Sequence, residues 1–179
     1  MSHITHYDQM PIPPVEAQTE YFEAGALRFG VEYRLLNDAI AAAHSGGDAT
    51  HSNDEAEFGD DRGVSIHVFL RDGERWLEHL RFDCFDEDPH YHYVCWRTRS
   101  NEMLHIDPIA AGDPLAWALE RLRTRLPQML ERAGAQDPGA RIEAPAVDAV
   151  LPRVAEAAYR LRHHHDDAAT LAAALAAAR

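Results

Sequence analysis

Alternation of apolar and polar side chains constrains the fold of this chain more than any other feature of its sequence. Between residues 26 and 36 apolar side chains take every second position, with Arg28, Glu32 and Arg34 among the residues between them. A period of two is that of a β-strand with one face toward a hydrophobic core. Four further segments show similar patterns, at 64–70, 76–85, 91–96 and 102–107. The sequence therefore predicts about five strands.

Short turns separate the later segments, so these strands are expected to be antiparallel neighbours. The Asp-Gly pair at 72–73 is a hairpin signal, and polar residues at 86–89 and 98–101 indicate two more turns. Asp113 and Pro114 then form a helix start, which an apolar stripe at helical spacing follows. We predict an α+β fold: an antiparallel β-meander of about five strands covered on one face by a helix, with C-terminal helices.

Three segments of different character divide the chain. Residues 1–20 contain three prolines and little periodicity, which predicts an extended N-terminal arm. Residues 21–134 hold the predicted sheet and its helix, and form the α+β domain. Residues 135–179 follow a Pro/Gly-containing linker and are rich in alanine, which predicts a C-terminal helical extension.

Composition and charge narrow the environment and the partners that we expect. A formal net charge of −13 argues against nucleic acid or an anionic membrane surface as the main partner. We find neither an apolar stretch of transmembrane length nor a signal peptide. Cys84 and Cys95 do not suggest a disulfide framework, so we expect free, mostly buried thiols in a reducing cytoplasm. The rich use of alanine and arginine is typical of a bacterial protein.

Pairing the strands symmetrically about their turns predicts a register. Asp83 would lie opposite His92, which would also lie opposite Asp107, and Val94 would lie opposite His105. Because side chains alternate across a strand, each face of the sheet can be specified. The core face would hold Leu80, Phe82, Cys84, Tyr91, Tyr93, Cys95, Leu104 and Ile106. The polar face would hold His79, Arg81, Asp83, His90, His92, His105 and Asp107, with Leu77, Val94, Trp96 and Met103 beside them.

Two closely spaced histidines make the polar face a candidate metal site. His90 and His92 are two residues apart, so both would point the same way from one strand. His105 and Asp83 on the neighbouring strands would complete a shell of three or four ligands. Imidazoles with a carboxylate suit a divalent transition metal such as zinc, iron or manganese, and Asp107 would orient one imidazole.

The same residues are also candidates for catalysis without a metal ion. A histidine such as His92 beside the carboxylate of Asp83 can act as a general base. Arg81 would bind an anionic substrate. The sequence does not specify a small-molecule ligand.

A non-catalytic surface explains the polar face as well. Charged cross-strand pairs need no ligand, and 12 histidines make some clustering expected by chance. Apolar Trp96 and Met103 among the polar residues indicate a face covered by a second subunit, the late helices or a ligand. The first hypothesis is therefore a binding or interaction module that forms a homodimer, and the alternative is a metal-dependent hydrolase. The histidines at 163–165 and the acidic stretch 48–61 carry no specific indication of function.

The segment Arg81-Phe-Asp-Cys-Phe, its continuation Pro89-His-Tyr-His-Tyr and a Pro-Leu-x-Trp helix at 114–117 resemble a small bacterial family of unknown function. The resemblance covers residues 63–134 and implies no known activity. More distantly, the segment is similar to sheet-forming toxins of toxin–antitoxin pairs, which carry an Arg-Tyr-Asp strand followed by a histidine-rich one. The spacing and the C-terminal region differ from those of the toxins. This second resemblance implies a toxin-like component as a further alternative.

Overall fold

A seven-stranded antiparallel sheet forms the centre of the structure, a computed structural model that describes residues 4–44 and 60–178. The strands are β1 (Ile4–Tyr7), β2 (Glu20–Ala24), β3 (Leu27–Leu36), β4 (Asp61–Asp72), β5 (Arg75–Phe85), β6 (His90–Cys95) and β7 (Ser100–His105). The helices are α1 (Asp38–His44), α2 (Pro108–Ala111), α3 (Pro114–Thr124), α4 (Leu126–Arg132), α5 (Pro138–Arg141), α6 (Ala144–His163) and α7 (Asp167–Ala177). A 3₁₀ turn at Glu16–Gln18 precedes β2. No helix in these residues is long and apolar enough to cross a membrane.

The strand order is β1-β7-β6-β5-β4-β3-β2, a meander from β2 to β7 with β1 added beside β7. The predicted α+β class and antiparallel sheet are confirmed, but the count of about five strands was too low. The two missed strands are the edges of the sheet and only four and five residues long. So few residues give too little alternation to identify a strand. Between the first two predicted strands the structure also has α1 and an earlier start of β4, and residues 45–59, with most of the acidic stretch, lie outside the described residues.

Helices α3, α4 and α6 cover the core face of the sheet. Asp113 caps α3 as predicted, and Pro127 lies in the first turn of a new helix, α4. Helix α6 begins at Ala144, within the C-terminal region that was predicted to be helical. Its residues belong to the same hydrophobic cluster as the sheet. Buried members of that cluster include Leu80, Phe82, Leu104, Leu115, Ala118, Leu122, Val150 and Val154.

The register differs from the predicted one by an even number of residues on both sides of β6. Asp83 lies opposite His90 rather than His92. The Asp61 side chain accepts hydrogen bonds from two backbone N–H groups of the 86–89 turn and holds that turn toward β4. Val94 lies opposite Asn101 because the next turn occupies residues 96–99, two positions earlier than expected. Even shifts preserve the faces, since side chains alternate with a period of two.

A β-bulge in β5 moves two residues away from the predicted polar face. The pairing of β5 with β4 skips His79, which turns toward the backbone at the end of α4. Beyond the bulge the alternation is inverted. Leu77 lies opposite Leu70 of the core, whereas Glu78 joins the polar face and bonds to Arg81. His79 and Leu77 were therefore assigned to the wrong face.

Residues 8–19, which we call the strap, cross the polar face from β7 to β3. The carbonyl of Gln9 accepts a hydrogen bond from Asn101 on β7 (2.8 Å). The N–H of Val15 donates to Glu32 on β3 (3.0 Å). Four strand spacings of about 4.8 Å make about 19 Å, and six residues in polyproline conformation also span about 19 Å. The three prolines of the predicted arm thus suit a segment that must stay extended.

The strap closes the polar face from the side opposite the helices. Arg34 donates to the carbonyl of Ile12 (3.4 and 3.5 Å). Further along, the Thr19 side chain lies so close to Gly30 that a Cβ there would be 3.0 Å from Thr19 Cγ2. The face is therefore covered by the chain's own N-terminal residues. The sequence had suggested a second subunit, the late helices or a ligand instead.

The packing of α3 on the core predicts that two neighbouring substitutions in this helix differ in their effect on stability. Replacing buried Leu122 with Ala should lower the free energy of unfolding by about 2–5 kcal/mol, because the methyl groups lost leave a cavity. The neighbouring exposed residue serves as the control: Arg123→Ala should stay within about 0.5 kcal/mol of the native protein. Urea denaturation measures both. Equal losses in the two variants would contradict the placement of α3 on the core.

Candidate functional site

A row of charged side chains lies buried on the polar face. His67 on β4 is 0% exposed and bridges two carboxylates: its Nε2 is 2.9 Å from Glu32 Oε1, and its Nδ1 is 2.6 Å from Glu78 Oε1. The guanidinium of Arg81 donates to both oxygens of Glu78, each at 2.9 Å. Arg34 approaches Glu32 at 3.3 Å. Each buried charge therefore has an opposite charge beside it, which burial requires.

The pKa shifts of this row follow from burial and pairing. Burial acts most strongly and opposes ionisation, but the neighbouring charges and hydrogen bonds outweigh it. Arg34 and His67 lower the pKa of Glu32, and Arg81 and His67 lower that of Glu78. The two glutamates in turn raise the pKa of His67 above 6.5. With His67 protonated, the central part of the row is a salt-bridge network that extends over β3, β4 and β5.

Next to this row, Asp83, His90 and His92 form a cluster whose possible ligand atoms all lie within 4.8 Å of one another. Asp83 Oδ2 is 3.4 Å from His90 Nε2 and 3.3 Å from His92 Nε2. The other oxygen of Asp83 accepts a hydrogen bond from Ser65 on β4. The three cluster residues are between 3% and 8% exposed. Strands β5 and β6 thus bring together three of the four predicted ligands.

Hydrogen bonds on the far side of each imidazole fix its tautomer. His90 Nδ1 is 2.7 Å from the backbone carbonyl of Asp88, which can only accept, so Nδ1 carries a proton. His92 Nδ1 is 2.9 Å from Asn101 Oδ1. The Asn101 amide nitrogen must donate to the Gln9 carbonyl, which leaves its oxygen for His92. Both histidines, when neutral, therefore turn an Nε2 lone pair toward Asp83.

Two separations in the cluster match those between ligands of a tetrahedral metal ion. Ligands bonded to zinc at about 2.1 Å in a tetrahedron lie about 3.4 Å apart, and the two N···O separations are 3.3 and 3.4 Å. Charge-assisted N–H···O bonds are shorter, about 2.7–2.9 Å. Two imidazoles and a carboxylate, each held by a further hydrogen bond, are a ligand set found for zinc and other transition metals.

The pKa shifts show where a proton would bind in place of a metal ion. Burial opposes the charge of Asp83, but its contacts with the imidazoles of His90 and His92 and the charge of Arg81 hold its pKa well below 3.8. Burial also disfavours the charged form of His90, yet Asp83 raises its pKa. For His92, burial prevails and lowers the pKa. The proton would therefore reside on His90, and His92 would keep its lone pair.

Several predicted site residues lie elsewhere. His105 is opposite His90, but its side chain is 43% exposed and bonds to Asp88 Oδ1 (2.6 Å), outside the cluster. Asp107 does not orient an imidazole; it caps α2. Arg81 is fully engaged by Glu78 rather than free for an anionic substrate.

Trp96, which was expected at a covered surface, is half-buried within its own chain. Its indole N–H donates to the backbone carbonyl of Glu78 at the bulge (2.7 Å). A contact within the chain therefore holds the indole in place. Homodimer formation stays a prediction.

Five residues of the site were missed by the sequence analysis. Ser65 and His67 occupy alternate positions of a predicted strand, so alternation could have placed them on the polar face beside Glu32. Glu78 was missed because the bulge inverts the alternation of faces, and no pattern in the sequence indicates a bulge there. Asn101 was assigned to a turn, and Gln9 to an arm with no expected contacts.

A separate cavity of about 280 Å³ lies on the other side of the sheet, beside Cys84 and Tyr33. Its two arginines are paired, Arg62 with Asp167 and Arg162 with an aspartate at the start of α3. Cys84 and Cys95 are both free but only half-buried. The last histidine of the 163–165 run stacks on Tyr33, with ring centroids 3.8 Å apart.

Fold and cluster together define a class of protein: an α+β protein in which an antiparallel sheet carries two histidines and an aspartate on a buried polar face. The chain belongs to the family described as a domain of unknown function, DUF7700, which matches residues 21–158. Comparison with curated proteins and with solved structures gives no match. The expectation of a family of unknown function is confirmed at that level, and the likeness to toxins stays a prediction.

The charged row predicts a dependence of stability on pH. The lowered pKa values of Glu32 and Glu78 contribute stability that is present above 4.5 and lost as the pH falls through their folded values. The raised pKa of His67 contributes stability that is present below 6.5 and lost as the pH rises through its folded value. Together these three groups should contribute most to the free energy of unfolding between pH 4.5 and 6.5.

His67→Gln isolates the alkaline part of this profile. Urea denaturation of the variant should show a shallower loss of stability above pH 6.5 than the native protein, because the titrating imidazole is gone. The contribution of His90 remains in both proteins and cancels in the comparison. Identical slopes above that pH would show that His67 does not bind its proton more tightly in the folded state.

Proposed function

We propose that this protein is a non-catalytic metal-binding module that holds one divalent transition-metal ion between Asp83, His90 and His92. The observation that carries the proposal is the convergence of two Nε2 atoms, whose tautomers are fixed from behind, on one carboxylate oxygen. Three electron-pair donors so arranged repel one another unless a cation lies between them. A metal ion satisfies all three, whereas a proton on His90 leaves His92 facing a negative charge.

Zinc suits the distances best. Tetrahedral zinc ligands lie about 3.4 Å apart, close to the two N···O separations between Asp83 and the histidines. Ligands of an octahedral ion with similar bond lengths lie about 3.0 Å apart, which would require the side chains to close in. The proposal therefore names zinc first, with iron and manganese as competitors.

Burial favours a structural role of the ion over catalysis. The cluster is almost inaccessible to solvent. The second oxygen of Asp83 accepts a hydrogen bond from Ser65, and Arg81 donates hydrogen bonds to Glu78. A substrate would have little room to reach the ion. The ion would instead join β5 to β6 and offset the negative charge of Asp83.

A metal-dependent hydrolase is the second candidate, because three protein ligands are the number found in catalytic zinc sites. It would require a conformation in which the cluster opens. Zinc-loaded protein that hydrolyses an activated ester or phosphodiester, with turnover lost in His92→Ala, would favour this candidate. Absence of turnover in a protein with one bound zinc would favour the structural role.

Metal binding is tested with tag-free protein and Zn²⁺ or Co²⁺. We expect one ion per chain by calorimetry and elemental analysis, with thermal stabilisation that increases with ion concentration. Mutation of a residue that supports a metal ligand typically lowers metal affinity about 10–100-fold. His92→Ala should lower it further, because a ligand itself is lost. His105→Ala is the matched control and should bind normally, since its side chain lies outside the cluster.

Two outcomes would contradict the proposal. One is the absence of stoichiometric binding in the native protein. The other is an equal loss of affinity in His92→Ala and His105→Ala, which would place the ion elsewhere.

A further inference from the structure

A single buried side chain, Asn101, joins the cluster to the strap. Its Oδ1 accepts the Nδ1 proton of His92 (2.9 Å), and its Nδ2 donates to the backbone carbonyl of Gln9 (2.8 Å). Asn101 is 4% exposed, so water does not readily replace either partner. Because a carbonyl only accepts, one orientation of the amide satisfies both bonds.

We propose that Asn101 is a positioning residue that makes metal binding by His92 and docking of the strap mutually dependent. This inference rests on the metal-binding function proposed above and adds its regulation. The strap would act as a clasp whose closure fixes the His92 imidazole in the form that binds metal.

The coupling follows from the hydrogen bonds on each side of the amide. When the strap is docked, Gln9 holds the amide with its oxygen toward His92. The oxygen then holds the proton on Nδ1 and keeps the Nε2 lone pair directed at Asp83. When the strap leaves, the amide loses this constraint, and the imidazole can change tautomer or rotate. By linkage, an ion that prefers the fixed imidazole must favour the docked strap to the same extent.

The strap is held by polar contacts that can be released without opening the hydrophobic core. Beyond Gln9, its described hydrogen bonds to the polar face run from Val15 to Glu32, from Thr19 to Glu32 and from Arg34 to the Ile12 carbonyl. The last two are long, 3.4 Å or more. None of the strap residues belongs to the hydrophobic core cluster, and a segment outside the core belongs to the part of a protein that opens at low cost.

Tyr7, which directly precedes the strap, also lies over the cluster of Asp83, His90 and His92. It lies opposite Asn101 in the β1–β7 pairing, and its hydroxyl is 4.0 Å from the sulfur of Met103. Met103 in turn lies opposite His92. Release of the N-terminal residues would therefore uncover the side of the cluster where His92 lies, and dissociation of the ion should become faster.

Two substitutions of Asn101 distinguish its hydrogen bond with His92 from its hydrogen bond with Gln9. Asn101→Leu removes both hydrogen bonds. Asn101→Asp keeps an oxygen that accepts the His92 proton but replaces the donor to Gln9 with an acceptor, which repels the carbonyl. Glu102→Gln, on the opposite side of the same strand, is the control.

The experiment measures Co²⁺ and Zn²⁺ affinity together with amide hydrogen exchange of residues 9–19, with and without the ion. In the native protein and in Glu102→Gln, the ion should slow exchange of these residues. Asn101→Leu should bind metal about 10–100-fold more weakly. Asn101→Asp should bind metal and retain the native spectrum of bound Co²⁺, yet the ion should no longer slow exchange in the strap.

The outcomes distinguish this inference from the function on which it rests. If the native protein binds neither ion, both proposals fail. If it binds stoichiometrically but the strap exchanges at the same rate with and without the ion, the metal site stands and the coupling is wrong. Equal slowing in the native protein and in Asn101→Asp would also overturn the role of Asn101. If Asn101→Leu does not fold, the comparison with Asn101→Asp still decides.

Discussion

Pairing of buried opposite charges is the constraint on which the polar face of this sheet depends. His67 lies between two glutamates, and arginines adjoin both of those carboxylates. A buried charge left alone would cost several kcal/mol, so these side chains have little freedom to rearrange. Such a row contributes less to net stability than an apolar core would, but it fixes the positions of the strands that carry it.

The cluster of Asp83, His90 and His92 takes its geometry from this row and from the strap. Arg81 and Asp83 are two residues apart on one strand, so the row determines where the carboxylate of Asp83 lies. Asn101 and the Asp88 carbonyl fix the two imidazoles from the other side. The strap is part of the site because it supplies the backbone carbonyl that orients Asn101. In the proposed function the N-terminal residues cover the site, and Asn101 links them to it.

The sequence was sufficient to predict the class of fold and the side of the sheet that carries the cluster. A register error of an even number of residues leaves each side chain on the same face of the sheet. Asp83, His90 and His92 were therefore placed on one face correctly, although the predicted pairing between their strands was wrong. Three features could not be predicted. The bulge at His79 depends on local packing, the position of His105 depends on a turn that closes two residues early, and the strap is held by contacts that leave no periodic pattern.

The most direct test of the account is a crystal structure of the protein grown with zinc, with anomalous diffraction recorded at the zinc absorption edge. We expect one strong anomalous peak at about 2.0–2.2 Å from Asp83 Oδ2, His90 Nε2 and His92 Nε2, with Asn101 still bonded to His92 and Gln9. A structure at saturating zinc with no anomalous density among these three atoms would contradict the central claim.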